Sequence, residues 1–351
     1  VKTQLKCEAL TLRAWSFYVL VNKFAKAYNP STAANDPGII LMTDDKDIQQ
    51  AQPKSSVQEV YDQMLKDINA AIELNGLPDV AVNKMRFNKA AAYAVKTFIL
   101  MSMQKWDEAE AAAKQALAVN GVVNDYNNAY MGTATGFLLG GSYPVIDRGK
   151  KGTEEDYFCH GFIEFFNALT PETIAYFEKG HVYYEKMNNM NMAYDYVMDG
   201  GESMLGEKGF LYTYDLNSNW NDSGLRSPLM YLSIAECELH NGNIDVAMEN
   251  LDKVRVNRIS PAVYQPLKGN VTSMKDAIEH CKQAVINEEI YSSNIFVIKK
   301  RWNQLDDWKA TYSRKLAGTT YSIAPDSKMW IFPFPQNVIN NNPQITQNYK
   351  E

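Results

Sequence analysis

Apolar residues recur at three- and four-residue spacing through the N-terminal third of the chain. Leu5, Ala9, Leu12, Trp15, Phe17, Leu20 and Phe24 follow the period of a buried helical stripe, which predicts a helix over about residues 2–24. Asn29-Pro30 and Asn35-Asp36-Pro37-Gly38 then punctuate a loop, followed by the short apolar run Ile39-Ile40-Leu41-Met42. Ser55 or Ser56 stands three or four residues ahead of Glu59, the spacing of a capping box. Behind that cap, Val57, Val60, Tyr61, Met64, Ile68, Ala71 and Ile72 carry a second stripe that stops near Asn75-Gly76.

Two later segments match each other. Residues 88–117 read helix, turn, helix around Gln104-Lys105, and residues 228–254 read the same way around Asn241-Gly242. Aligning Ala109 with Ala247 also brings Tyr93 to Tyr231, Thr97 to Ala235, Asp107 to Asp245 and Ala116 to Val254. A ring and a small residue in one helix facing small residues in the next is tetratricopeptide logic, because small side chains permit close helix–helix approach. A generic antiparallel helical hairpin is the plainer reading of the same pattern. Helices 2–24 and 56–75 form a further candidate unit with a long inserted loop.

Between the two hairpins the periodicity is lost. Residues 121–225 hold Gly132, Gly136, Gly140, Gly141, Gly149, Gly152, Gly200, Gly201, Gly206 and Gly209 among many Asn, with short helical pieces at 171–179 and 181–184. The last hundred residues are mixed: a helix over about 274–292, a segment 296–302, and a Pro-rich end. Pro333 and Pro335 lack donors, so 330–335 reads as an extended segment laid on a core and not as a central strand. The predicted fold is mainly α. A tetratricopeptide-like helical-hairpin scaffold consists of an N-terminal helical region, residues 1–120, and a C-terminal hairpin plus mixed tail, residues 226–351. It carries a loop-rich ligand-binding excursion at 121–225.

Charge and composition narrow the function. With 35 Lys+Arg against 41 Asp+Glu the net charge is −6, and 46% of the 351 residues are hydrophobic. Those values describe a folded globular chain and exclude wholesale disorder. The absence of a Lys/Arg-rich block argues against nucleic acid as a partner. No apolar run approaches the ~20 residues that span a bilayer, so membrane association would run through the surface or an anchor. The first residue is Val1 and no signal-peptide pattern follows, which leads us to expect that a leader, an anchor or first helices lie upstream. Cys7, Cys159, Cys237 and Cys281 show no CxxC pair and no metal-ligand spacing. Cys7 and Cys237 fall among apolar helix positions and read as small buried hydrophobes. Against 4 His stand 6 Trp, 21 Tyr and 14 Phe, a balance that favours binding over catalysis.

No catalytic motif emerges. The acidic pairs Asp44-Asp45, Glu154-Glu155-Asp156, Glu288-Glu289 and Asp306-Asp307 are sequence neighbours, which do not face each other on a helix, and they read as solvated faces. Thr43-Asp44-Asp45-Lys46-Asp47 offers oxygen ligands but lacks the glycine and closing Glu of a calcium loop, so no metal site is expected. Gly136 to Gly141 is not followed by Lys-Ser/Thr and forms no phosphate cradle. Binding signals gather in the excursion, where Tyr126, Tyr130, Phe137, Tyr143, Tyr157, Tyr212, Tyr214 and Trp220 are interleaved with Asn and Gly. Trp220 sits in Asn217-Ser218-Asn219-Trp220-Asn221-Asp222-Ser223-Gly224, a wholly polar setting. A ring there either staples the loop to the scaffold or offers its face to a ligand. Sugars pack C–H faces on such rings while amides and carboxylates bind their hydroxyls, and an extended peptide would fit the same surface. The candidate ligand-binding residues are Trp220 and Tyr143 as stacking platforms, with Asn219, Asn221, Asp222 and Arg148 as hydrogen-bonding partners.

Several segments form an ordered set of landmarks. Glu8-Ala9-Leu10-Thr11-Leu12-Arg13-Ala14-Trp15-Ser16-Phe17-Tyr18 comes first, then Asp36-Pro37-Gly38-Ile39-Ile40-Leu41 and Ser56-Val57-Gln58-Glu59-Val60-Tyr61. Asn88-Lys89-Ala90-Ala91-Ala92 with Trp106-Asp107-Glu108-Ala109 makes one hairpin, and Ala235-Glu236 with Val254-Arg255-Val256-Asn257-Arg258 belongs to a later one. The most specific piece is the ending, Phe332-Pro333-Phe334-Pro335 and then Asn342-Pro343-Gln344-Ile345-Thr346-Gln347-Asn348-Tyr349. Taken together and in this order, these segments resemble the SusD/RagB family, outer-membrane nutrient-binding lipoproteins of Bacteroidetes. One departure is Asn287-Glu288-Glu289-Ile290-Tyr291, where the family usually carries an Arg-rich helix.

The resemblance implies a tetratricopeptide-based scaffold and no enzymatic activity or cofactor. It implies partnership with a SusC-like TonB-dependent transporter, for which the protein is an extracellular lid held at the outer membrane by a lipid anchor upstream of Val1. The implied ligand is an oligosaccharide or, as in a minority of relatives, an oligopeptide.

Overall fold

The computed structural model describes residues 1–45, 50–128, 131–135, 142–146, 153–159, 167–182, 184–185, 211–213, 221, 223–290 and 292–348, with only the backbone of 131–135, 142–146, 167–168 and 211–213. Its scaffold is a chain of helices, each packed on the next. Helix α1 (Lys2–Phe24) packs on α2 (Val57–Glu73), which meets α3 (Lys89–Ser102) and then α4 (Trp106–Val119). After the excursion come α6 (Ser227–His240), α7 (Ile244–Arg255), α8 (Met274–Glu288) and α9 (Asn294–Trp302). A four-residue helix, α5 (Pro171–Ile174), lies within the excursion, and α10 (Gln336–Asn341) near the end.

Local chemistry starts several of these helices where the pattern predicts. Ser56 is the cap of α2: its hydroxyl accepts from the Glu59 N–H at 3.2 Å and the Glu59 carboxylate accepts from the Ser56 N–H at 2.7 Å. The Asn88 side chain accepts from Ala91 N–H and caps α3. The two matching hairpins turn at Gln104 and Gly242, both with positive φ. Close approach follows from small residues, since Ala90, Ala91, Ala94, Ala109, Ala113, Ala116 and Ala247 have no exposed surface. The second hairpin stacks on the first through α4 and α6. At the tips His240 lies 3.8 Å from the Trp106 ring centre, and Asn241 donates to Asp107 at 2.9 Å.

One core runs from Cys7 through Trp15, Tyr61 and Ile99 to Met230 and Val297, so helices from both ends of the chain share it. A second lies beneath α6–α9 around Trp302 and Trp308. Among the described residues the strands form two-stranded antiparallel sheets: β1 (Met131–Thr135) with β2 (Ser142–Ile146), β3 (Asp156–Phe158) with β6 (Leu225–Arg226), β4 (Asn167–Leu169) with β5 (Leu211–Thr213), and β7 (Tyr312–Leu316) with β8 (Thr319–Ile323).

Three features differ from the sequence-based expectation. The α1 stripe is only partly buried: Trp15 and Phe17 face the core, but Leu5, Leu12 and Leu20 are 43–51% exposed. Cys7, Thr11, Ala14, Tyr18 and Val21 are buried in their place. The period is right, but α1 is apolar on more than one side, and spacing alone does not choose between faces. Helices 171–179 and 274–292 end earlier, at Ile174 and Glu288. The hairpin β7–β8 has no counterpart in the predicted elements. Its two-residue turn, Ala317-Gly318, takes positive φ at both positions (47° and 78°), and Ala317 stands where Asn or Asp would mark such a turn.

The tail does lie extended on the core. Phe334 stacks on Phe24 at 5.1 Å, Phe332 meets the same ring edge-on, and the Phe332 N–H donates to the Lys23 carbonyl. Beside it the Lys300 ammonium donates to the Asn22 and Ala25 carbonyls at the end of α1, and burial lowers that amine to about 7.

Between α6 and α9, Glu236 accepts from both Arg301 Nη atoms and from Trp302 Nε1 at 3.1 Å. Burial pushes this carboxyl up, but the Arg301 charge and the Arg301 hydrogen bonds outweigh it, with the His240 imidazole 3.8 Å away, and hold Glu236 at about 2. Its folded value lies below the unfolded one, so the stabilisation is complete above about pH 5 and is lost as pH falls from there towards 2. Urea midpoints between pH 5 and pH 2 should therefore show roughly 3 kcal/mol of acid-linked loss in the wild type that Glu236→Gln lacks. Parallel pH profiles for the two proteins would contradict this assignment.

Candidate functional site

The excursion leaves and rejoins the scaffold at residues 122–128, 153–159, 176–182, 221 and 223–227, and polar contacts tie each junction down. At the centre are two arginines and two glutamates, all at most 3% exposed. Arg226 Nη1 donates to Glu288 Oε2 at 2.9 Å and to Glu155 Oε1 at 3.3 Å, and its Nη2 donates to the Glu288 carbonyl. Arg258 Nε donates to Glu288 Oε1 at 2.5 Å, and its Nη2 donates to Glu155 Oε2 at 3.1 Å. The Arg258 guanidinium also lies 3.7 Å from the centre of the Tyr126 ring and donates to the Asn124 carbonyl at 2.6 Å. Burial lowers both guanidinium pKa values, yet the Glu288 and Glu155 charges dominate and hold Arg226 and Arg258 firmly protonated.

Backbone contacts complete the closure. Ser227 N–H donates to Glu155 O, Asn124 N–H donates to Glu155 Oε2, Tyr126 N–H donates to Asn257 O and Val182 N–H donates to Arg258 O. Arg255 forms an ion pair with Glu178, and Asn287 donates to Tyr176 O at 2.9 Å. Ion pairs taken fully out of water lose several kcal/mol of hydration per charge, so such a quartet adds little net stability over apolar packing. It adds geometry instead: each carboxylate has a fixed set of donors, and shifting any junction strands a charge.

A second anchor sits at Asp156, whose carboxylate accepts from Asn221 Nδ2 at 2.6 Å and Thr153 Oγ1 at 2.7 Å. Burial raises this carboxyl, opposed by those hydrogen bonds and by the Arg226 charge. Lys84 donates to the Asp156 carbonyl, Cys159 N–H donates to Lys84 O, and Phe158 stacks on Phe87 at 4.2 Å. Gly224 is required by close approach, since a Cβ there would lie 1.8 Å from Asn221 Oδ1 and 2.3 Å from the Phe158 carbonyl.

The residues chosen from sequence fall unevenly on this frame. Trp220, Asn219, Asp222 and Arg148 lie outside the described residues. Tyr143 is described by its backbone, in β2 opposite Ala134. Asn221 is 6% exposed, with its amide bonded to Asp156, so it fastens the chain beside Trp220 to β3. The acidic pairs read as solvated faces include the most buried carboxylates of the root: Glu155, Asp156, Glu288 and Glu289 are 0–3% exposed. The reading failed because adjacency says nothing about partners. The signal that would have found them is Arg258, within the Val254–Arg258 landmark, whose cation needs buried acids.

Comparison with known proteins bears on the family and the fold. Residues 1–100 match the family SusD-like_3, described as starch-binding associating with outer membrane. No curated protein matches the chain. In fold the chain is similar to a SusD superfamily protein from Bacteroides thetaiotaomicron, with TM-score 0.67 and 17% identity over 99% of this chain and 78% of that one. It is also similar to a putative sugar binding protein from Bacteroides vulgatus, with TM-score 0.63 and 16% identity over 99% of this chain and 77% of that one. A SusD-like carbohydrate binding protein from Bacteroides vulgatus gives TM-score 0.64 and 15% identity over 99% and 78%. The first hundred residues thus match a SusD-like family, and the mainly α fold of the whole chain is similar to that of these proteins. No helix among the described residues is long and apolar enough to cross a membrane.

Replacing Arg226 by Met should cost about 3–5 kcal/mol in urea unfolding, because it leaves Glu155 and Glu288 buried without its donors. Arg86→Met breaks the half-exposed pair with Glu8 and should cost less than about 1 kcal/mol. Equal costs for the two would overturn the distinction.

Proposed function

We propose that this SusD-like chain is a non-catalytic nutrient-binding subunit at the outer membrane, which captures oligosaccharide at the cell surface. The observation that carries the reading is the match of the first hundred residues to a family described as starch-binding and outer-membrane associating. The sugar-binding descriptions of similarly folded proteins support it. Under this reading the matching hairpins α3–α4 and α6–α7 are tetratricopeptide-like units, and the partner is a SusC-like TonB-dependent transporter that receives the captured glycan. The protein is a lipid-anchored lid on the extracellular face, with its anchor upstream of Val1.

Trp220 and Tyr143 are the stacking platforms, and Asn219, Asp222 and Arg148 supply hydrogen bonds to sugar hydroxyls. Asn221, hydrogen-bonded to Asp156, holds the chain next to the Trp220 ring. A ring whose neighbour is fixed in this way loses less freedom on binding, which favours affinity.

Calorimetry with the cognate oligosaccharide tests the assignment. Trp220→Ala should weaken binding by about tenfold or more, the loss typical of an aromatic anchor. Unchanged affinity would remove Trp220 from the site, and capture of oligopeptides in place of glycans would overturn the substrate class.

A further inference from the structure

A cavity lies inside the scaffold, where α1 and α3 of the N-terminal half meet α6, α8 and α9 of the C-terminal half. Its volume is about 30 Å³. One water molecule needs roughly 10–15 Å³ of such space, so there is room for about two. Much of the wall is leucine, isoleucine, valine, methionine and phenylalanine, and a wholly apolar cavity of that size would stay dry.

This wall is not wholly apolar. Tyr18 enters it from α1, Ser233 and Glu236 from α6, Arg301 from α9 and Glu289 from just past α8, and each is at most 7% exposed. Glu236 is committed, since it already accepts from Arg301 and from Trp302. Arg301 spends two N–H groups on that carboxylate and keeps the rest of the guanidinium's donors.

The two hydroxyls are less well provided. Ser102 donates to the Tyr18 oxygen at 3.5 Å, which is long for a bond between hydroxyls, and the Tyr18 O–H finds no acceptor among the described residues. Burial pushes this phenol up, so it keeps its proton. The Ser233 hydroxyl has no hydrogen-bond partner among the described residues. Hydroxyls buried this deeply cost free energy unless something bonds them.

We propose that the cavity is an internal hydration site, in which ordered water joins Tyr18, Ser233 and Arg301 and so ties α1 to α6 and α9. The proposal is independent of the oligosaccharide reading. Water meets both needs of the wall: its oxygen accepts from the Tyr18 O–H and the Arg301 guanidinium, and its hydrogens reach the Ser233 oxygen. A metal cation fits less well, because a guanidinium already lines the wall and holds the Glu236 carboxylate. An apolar solute would fill the space but leave both hydroxyls without partners.

The test is a high-resolution crystal structure of the whole chain, with parallel crystals held under xenon and soaked in thallium(I). Water should occupy the cavity within hydrogen-bond distance of Tyr18 Oη and Ser233 Oγ, and neither xenon nor thallium should enter. An empty cavity or bound xenon would overturn the hydration, and a thallium peak would overturn water in favour of a cation. In solution, Tyr18→Phe and Ser233→Ala should each lower the urea midpoint, and the double variant should lose clearly less than the sum, because the second change removes a partner from water already released. Additive losses would overturn the bridge between the two helices.

Discussion

The buried quartet of Arg226, Arg258, Glu155 and Glu288 is the constraint on which the rest of the structure depends. Its four members come from the incoming and outgoing strands of the excursion, from the stretch after α7 and from the end of α8. A hydrophobic root would bury the same surface without choosing a register. A charge at 1–3% exposure tolerates one arrangement, because each displaced donor leaves a carboxylate in a medium that cannot solvate it.

That division assigns separate tasks to the two kinds of chemistry in the chain. Alanine and aromatic packing make most of the scaffold, with the Glu236–Arg301 pair set between α6 and α9. Where the scaffold ends, at the junctions of the excursion, hydrogen bonds and ion pairs take over. The Asn221–Asp156–Thr153 anchor repeats the logic on a smaller scale beside the ring proposed as a ligand platform. The tail closes α1 with aromatic rings and the Lys300 ammonium, so the two ends of the chain meet in one core.

Much of the scaffold was legible in the sequence because its signals are local. Ser56 with Glu59 marked a cap, Asn241-Gly242 marked a turn, and the repeated ring-and-alanine pattern marked both hairpins. The face of α1 was not legible, since Leu5, Leu12 and Leu20 are as apolar as the residues that are buried. The root was illegible for another reason: Glu155 and Glu288 are far apart in sequence, and only the fold brings them to the same arginines. The β7–β8 hairpin was hidden by Ala317 at a turn position usually held by Asn or Asp. The polar context of Trp220 remains a sequence-level argument, and the fastening of Asn221 gives that argument a fixed point.

The central claim, that the junctions of the excursion are as firmly held as the scaffold, is open to one direct measurement. Hydrogen exchange followed residue by residue on the intact chain should find the amides of Tyr126, Val182 and Ser227 exchanging as slowly as those in the middle of α6, because each donates within the buried root. Exchange at these amides orders of magnitude faster than in α6, under conditions where α6 stays protected, would contradict the account.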